Sequence, residues 1–165
     1  MKTQRNSIHR IVYDSSFLVG LIDEKDKWHK HAVEISDFLA FFEHEGVVFD
    51  CVINEVVSVL ARRLEEKKRK NFLKVLEEIR SKITKDKIFW TCTETIDMYD
   101  TIFDTIEEYE GKLNFHDALI VLMMEKFEIY FIVSFDKDFD LIKGIKRIHH
   151  ENINLFSNFS KNLRR

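Results

Sequence analysis

An α/β fold in three layers, with helices on both faces of a mainly parallel central sheet, is the architecture this sequence predicts. Short apolar runs of strand type alternate with longer stretches whose apolar residues recur every three or four positions. One helix-length segment, Asp117 to Met124, is apolar at every position after its first, the pattern of a helix buried on most sides. With no proline and only 4 glycines among 165 residues, element boundaries rest on periodicity and capping residues.

Ile8 to Tyr13 reads as a first strand that stops at Asp14, Ser15 and Ser16, after which Phe17, Leu18, Leu21 and Ile22 take helical spacing. Trp28, Ala32, Ile35, Phe38, Leu39 and Phe42 predict an amphipathic helix capped at Gly46, followed by a second short strand, Val47 to Phe49. Helical spacing resumes from Val52 through Ile53, Val56, Val57, Leu60 and Leu64, and continues or restarts through Phe72, Leu73, Leu76 and Ile79. Residues 88–92 predict a third strand. Ile96, Tyr99, Phe103, Ile106 and Tyr109 share one face of the next helix, while Glu94, Asp97, Asp100, Asp104 and Glu108 form a solvated acidic set on the others. Gly111 ends that helix, Asn114 opens the buried one, and Ile129 to Phe135 is a further strand. Asp136 to Asp140 and an apolar remainder with Ile145, Ile148 and Ile153 complete the pattern. No internal repeat or linker interrupts it, so residues 1–165 read as one domain. Its core spans about 8–150, between a polar N-terminal extension and a basic C-terminal tail.

The formal net charge of −3 excludes a strongly basic nucleic-acid coat protein, though not a local basic patch. No apolar run is long enough to span a bilayer, and Met1 to Arg10 has no apolar signal region, so a cytoplasmic protein with no membrane attachment is expected. Cys51 and Cys92 lack zinc-ligand spacing and read as reduced thiols. Charge is uneven: Arg62 to Lys70 carries +4, Leu141 to Arg165 carries +5, and the rest of the chain therefore carries −12.

Part of that negative charge falls where strands end or helices begin. Asp14 follows the first strand, Asp117 heads the buried helix, Asp136 follows the Ile129 to Phe135 strand, and Glu55 lies about one helical turn beyond the second strand. The carboxyl ends of parallel strands share one edge, where ligands bind, so all four acids can converge there. Taken one by one they have ordinary uses. Asp14 or the serines after it can cap a helix, and Asn114 with Asp117 fits a capping box. Asp136 can be a turn aspartate, and Glu55 an exposed helix residue sharing a face with Ser58 and Arg62. Four acids at one edge repel one another unless a divalent cation neutralises them. Carboxylates without His or Cys select Mg²⁺ or Mn²⁺, ions suited to hydrolysing a phosphodiester.

The residues at these points also carry a family resemblance. Val12-Tyr13-Asp14-Ser15-Ser16-Phe17, Asn54-Glu55-Val56, Phe115-His116-Asp117-Ala118-Leu119-Ile120 and Ser134-Phe135-Asp136-Lys137-Asp138-Phe139 resemble, in order, the four acidic motifs of PIN-domain ribonucleases. Trp28-His29-Lys30-His31-Ala32 is similar to that family's helix after the first motif. The resemblance covers about residues 8–150 and implies a Mg²⁺- or Mn²⁺-dependent endoribonuclease akin to VapC-like toxins of toxin and antitoxin pairs. Carried over position by position, it implies that Asp14, Glu55, Asp117 and Asp136 are the catalytic quartet, with Ser15 and Ser134 at hydroxyl-bearing accessory positions. Asp14, Asp117 and Asp136 would bind metal directly, Glu55 through water or a second ion, and Asp138 as an accessory acid. It implies an RNA substrate, a small antitoxin partner and a homodimer. Two departures are visible: Ser134 stands where many relatives have threonine, and Asp140 adds a third acid to the Asp136, Asp138 series.

Other features have plainer readings. His29 and His31, two apart on a helix, point to different faces and do not share a metal; His116 adjoins Asp117 and can enter the site, though packing or the surface suits it better, and His149-His150 has no acid at useful spacing. Phe38, Phe41, Phe42, Phe72, Phe156 and Phe159 suit a core or an interface better than a base-stacking platform. Arg62, Arg63, Lys67, Lys68 and Arg69 are either the solvated face of a long helix or cations that hold RNA phosphates beside the acids. Two other functions fit the sequence less well. A non-catalytic RNA-binding scaffold would not need all four acids, and a phosphoaspartate hydrolase would need an aspartate where Ser16 stands.

Overall fold

The computed structural model describes residues 9–66 and 72–154. Five strands, β1 (His9–Tyr13), β2 (His44–Phe49), β3 (Ile88–Phe89), β4 (Phe131–Val133) and β5 (Lys146–Ile148), form one sheet in the order β3-β2-β1-β4-β5, and every pair is parallel. Among the described residues there are seven α-helices: α1 (Ser15–Ile22), α2 (His29–Leu39), α3 (Asp50–Glu66), α4 (Phe72–Lys82), α5 (Cys92–Asp97), α6 (Tyr99–Glu108) and α7 (Phe115–Lys126). Helix α1 packs on α2, α3 and α4, while α6 packs on α7, which gives the expected α/β/α layers. The chain leaves β1 toward β2 on one side and returns to add β4 on the other. The strand order therefore reverses at the β1–β4 boundary, where open parallel sheets place their ligands.

The core is built where periodicity placed it. Ile11 and Val12 of β1 are fully buried, and all eight residues from Asp117 to Met124 are buried, because α7 has apolar side chains all round and needs cover on most sides. Asn114 starts α7 with a complete capping box, its side chain accepting from the Asp117 amide while the Asp117 carboxylate accepts from the Asn114 amide.

Several boundaries differ from the sequence reading. Gly46 does not cap α2, which ends at Leu39; it lies inside β2, opposite Ile11. A Cβ there would stand 2.6 Å from Cε2 of Tyr13, so glycine is needed to let the Tyr13 ring lie across the strand, where its hydroxyl meets His44 Nε2 at 2.7 Å. The third strand shrinks to Ile88 and Phe89 because Thr91 is pulled away by Asp50, whose Oδ1 accepts from the Thr91 amide and hydroxyl at 3.1 and 2.6 Å. The single helix expected over 96–109 is two, α5 and α6, broken at Met98. Its apolar face is divided as well: Ile106 and Tyr109 pack against the core, but Ile96, Tyr99 and Phe103 are 77%, 56% and 49% exposed. Phe41 and Phe72 are also exposed, whereas Phe38 and Phe42 pack against the core and against each other; Phe156 and Phe159 lie outside the described residues. His149 and His150 do meet an acid, since Glu151 lies 3.7 and 4.0 Å from their rings.

Candidate active site

Asp14 sits where β1 turns into α1, its amide donating to the Val133 carbonyl at 3.1 Å across the β1–β4 boundary. It caps α1, as its chemistry allows, but capping is the smaller part of its environment. Asp14 Oδ2 accepts from the Ser16 hydroxyl at 2.6 Å and the Ser134 hydroxyl at 2.7 Å, and the Ser16 amide lies 3.3 Å away. Each hydroxyl in turn accepts a backbone N–H from the β4 exit, Ser16 Oγ from Phe135 and Ser134 Oγ from Asp136, both at 2.9 Å. Two serines thus stitch the end of β1 to the loop that carries Asp136. Ser15, at 3.5 Å from Asp14 Oδ1, contributes the weaker contact. Ser16, not Ser15, is the residue the sequence reading missed, and the cue was its place two residues after a capping aspartate, where a short hydroxyl folds back onto the cap.

Asp117 is 9% exposed and fixed by the capping box, its Oδ2 accepting from the Asn114 amide at 3.0 Å. Burial raises its carboxyl from 3.8 to about 7, and the negative charges of Asp14, Asp136 and Glu55 push the same way, outweighing the Asn114 amide that favours the ionised form. Asp14, Glu55 and Asp136, spread over more than a hundred residues of sequence, are therefore electrostatic neighbours of the buried Asp117. Asp136 is exposed and accepts from the Asp138 amide at 2.9 Å, an aspartate turn like the one read from sequence; Asp138 is half-buried beside it. Glu55 is half-buried on α3. Asp140 is turned away. It accepts two hydrogen bonds from Arg147, at 2.8 and 2.6 Å, and that guanidinium holds its carboxyl below the ordinary carboxylate range.

Phe135, between Ser134 and Asp136, stacks on Trp28 with ring centroids 4.8 Å apart and planes 6° from parallel. His31 and His150 stack at 4.0 Å beside them, while His29 Nδ1 meets the Gly20 carbonyl, so the two helix histidines do diverge. Of the basic residues, Arg62 is exposed, but Arg63 is committed elsewhere: its Nη1 pairs with Asp26 and, at 3.4 Å, with Asp23. Lys67, Lys68 and Arg69 lie outside the described residues. Burial pushes the Cys51 thiol up to about 12, as suits an inert packed cysteine.

Among the described residues no three His, Cys, Asp or Glu side chains close into a ready-made metal cage. The donor set nonetheless fits a hard dication: it is all carboxylate, and its buried member carries a raised carboxyl whose proton a cation would displace. An ion such as Mg²⁺ keeps several waters and uses one or two carboxylates directly, so an open set of this kind suits it.

The PIN domain family model matches residues 11–145. No curated protein matches the sequence significantly. Among solved structures, VapC20 of Mycobacterium tuberculosis, described as a sarcin-ricin loop cleaving toxin, superposes with a TM-score of 0.66 at 19% identity, over 84% of this chain and 98% of that one. PAE2754 of Pyrobaculum aerophilum superposes with a TM-score of 0.59 at 16% identity, over 93% of this chain and 96% of that one. At these identities the two structures establish the shared fold. Among the described residues no helix is long and apolar enough to cross a membrane.

Proposed function

Since the chain belongs to the PIN domain family, whose members are generally nucleases, we propose that it is a Mg²⁺- or Mn²⁺-dependent endoribonuclease. The observation that carries this reading is that Ser134 joins Asp14 to the Asp136 backbone, and that the charges of Asp14, Asp136 and Glu55 act on the buried Asp117. In the proposal Asp14, Asp117 and Asp136 hold the cation, Glu55 acts through water or a second ion, and Asp138 is accessory. A bound dication supplies a Lewis acid that neutralises charge on a phosphoryl oxygen and lowers the pKa of water. The chain's own part is to hold these carboxylates still. Ser16 and Ser134 fix Asp14 Oδ2, and the capping box fixes Asp117. Arg62, with Lys67, Lys68 and Arg69, positions RNA phosphates without reading sequence.

The resemblance to a toxin in fold supports a further step: an antitoxin whose segment covers the acidic edge, in a single-domain cytoplasmic protein. The exposed Ile96, Tyr99 and Phe103, with Phe103 6.0 Å from the Phe115 ring at the head of α7, are the apolar surface that a second copy would cover in a homodimer.

The test is cleavage of a panel of structured and single-stranded RNAs by the purified protein in Mn²⁺, Mg²⁺ or EDTA, beside Asp14→Asn and Asp117→Asn variants checked for folding by circular dichroism. Metal-dependent cutting lost in both variants is expected. Cutting that persists in both, or in EDTA, overturns the assignment, and tight RNA binding without turnover would favour the scaffold reading.

A further inference from the structure

We infer that Arg147 is a positioning residue for the acidic edge, a clamp that fixes the loop bearing Asp136 and Asp138 by gripping it at both ends. Arg147 is 6% exposed, and each of its three guanidinium nitrogens donates a hydrogen bond. At the far end of the loop, Nε and Nη2 donate to Asp140 Oδ1 and Oδ2 at 2.8 and 2.6 Å. At the near end, Nη1 donates to the Ser134 carbonyl at 3.1 Å. The opposite side of the same Ser134 residue carries the hydroxyl that donates to Asp14 and accepts from the Asp136 amide. One side chain therefore links Ser134, which holds Asp14, to Asp140 at the far end of the turn that follows Asp136.

The clamp is itself anchored. Asn152 Nδ2 donates to the Arg147 carbonyl at 2.9 Å, and Asn152 Oδ1 accepts from the His149 amide at 2.8 Å. The β4–β5 register seats Arg147 opposite Ile132, one residue before the strand end that leads into Ser134. A buried fork satisfied on every arm by fixed partners is rigid, and lysine cannot reproduce it because one ammonium cannot present two parallel donors and a third divergent one. The arrangement also separates two acids of the loop: Asp140 belongs to the clamp, whereas Asp136 is among the charges that act on Asp117.

The consequence for metal rests on the function proposed above, so the test has an arm that does not. Asp140→Asn, whose side chain is about half exposed in the ion pair, and Arg147→Lys are compared with the wild-type protein. In metal-free protein, the Phe135 and Asp136 amides that donate to Ser16 and Ser134 are expected to exchange about tenfold faster in both variants, in excess of any change at Val12. By calorimetry, Mn²⁺ is expected to bind about tenfold or more weakly. RNA cleavage at saturating Mn²⁺ should return to within about threefold of wild type, a split that a smaller folded fraction would not produce. Unchanged exchange at Phe135 and Asp136, or wild-type behaviour in Arg147→Lys, overturns the clamp. A wild-type protein that binds no Mn²⁺ refutes the metal reading instead, and the exchange rates then decide the clamp by themselves.

Discussion

Replacing Asp117 by asparagine separates the stability of the acidic edge from its chemistry. In the metal-free protein, burial first and then the charges of Asp14, Asp136 and Glu55 raise the Asp117 carboxyl from 3.8 to about 7. Between those pH values the folded chain keeps a proton that the unfolded chain releases, so this group makes stability fall as pH rises through the window. At about 1.4 kcal/mol per pH unit, the loss has an upper bound of about 4 kcal/mol, complete above about pH 7. Asparagine keeps an oxygen for the Asn114 amide, now 3.0 Å from the carboxylate, and has no charge to desolvate. Its new N–H groups need partners, which offsets part of the gain. Asp117→Asn is therefore expected to stabilise the metal-free protein at pH 8 by about 2–3 kcal/mol, on the order of 5–10 °C in Tm for a chain of this size. Near pH 4 the difference should vanish. Unfolding followed by circular dichroism in EDTA from pH 4 to 8 measures both. A variant that is no more stable at pH 8, or that keeps the wild-type pH slope, would refute the account of Asp117. Under the proposed function Mn²⁺ bound to the wild type alone cancels this difference, adding about 2.7 kcal/mol at a hundredfold excess over Kd, and reverses the order at a thousandfold excess, where it adds about 4.1 kcal/mol.

Ser16→Ala removes a donor to Asp14 and strands the Phe135 amide, so a loss of about 1–2 kcal/mol is expected in urea unfolding, against less than about 0.5 kcal/mol for Ser15→Ala. Gly46→Ala places a methyl carbon 2.6 Å from the Tyr13 ring and is expected to cost about 1–3 kcal/mol by overpacking; a near-neutral Tm would contradict the placement of that ring. Arg63→Ala takes the cation from Asp23 and Asp26 and is expected to cost about 2–4 kcal/mol. The exposed Arg62→Ala should leave Tm unchanged and weaken RNA binding with a smaller salt dependence, and equal effects of the two substitutions on stability would be inconsistent with this division of labour.

The sequence made legible whatever obeys a local rule. Strand runs followed by an acid located Asp14 and Asp136, the apolar α7 pattern with Asn114 before it located Asp117, and a parallel sheet then required them to share an edge. What stayed hidden depends on contacts between distant segments. Gly46 looked like a helix cap because nothing near it in sequence announces the Tyr13 ring above it. The basic run of α3 looked uniform, yet Arg63 is drawn off by Asp26, 37 residues earlier. Asp140 looked equivalent to Asp136 and Asp138 until the strand bearing Arg147 was paired with β4. Ser15 and Ser16 differ only in helical register, which a one-residue offset in an assumed boundary is enough to confuse.

The hydrogen bond from Ser134 to Asp14 spans 120 residues, and that separation gives the acidic edge a schedule. A chain growing from its N-terminus lays down Asp14 and Glu55 early, but it lacks Asp117 and Asp136 until α7 and β4 have been made, and the Arg147 grip comes later still. Until β4 slides in beside β1 there is no edge on which the acids can meet, and the protein in synthesis carries them as separate carboxylates. Assembly of the site thus waits until residues 117 to 147 have been made, and a partner that must cover it is not needed before then.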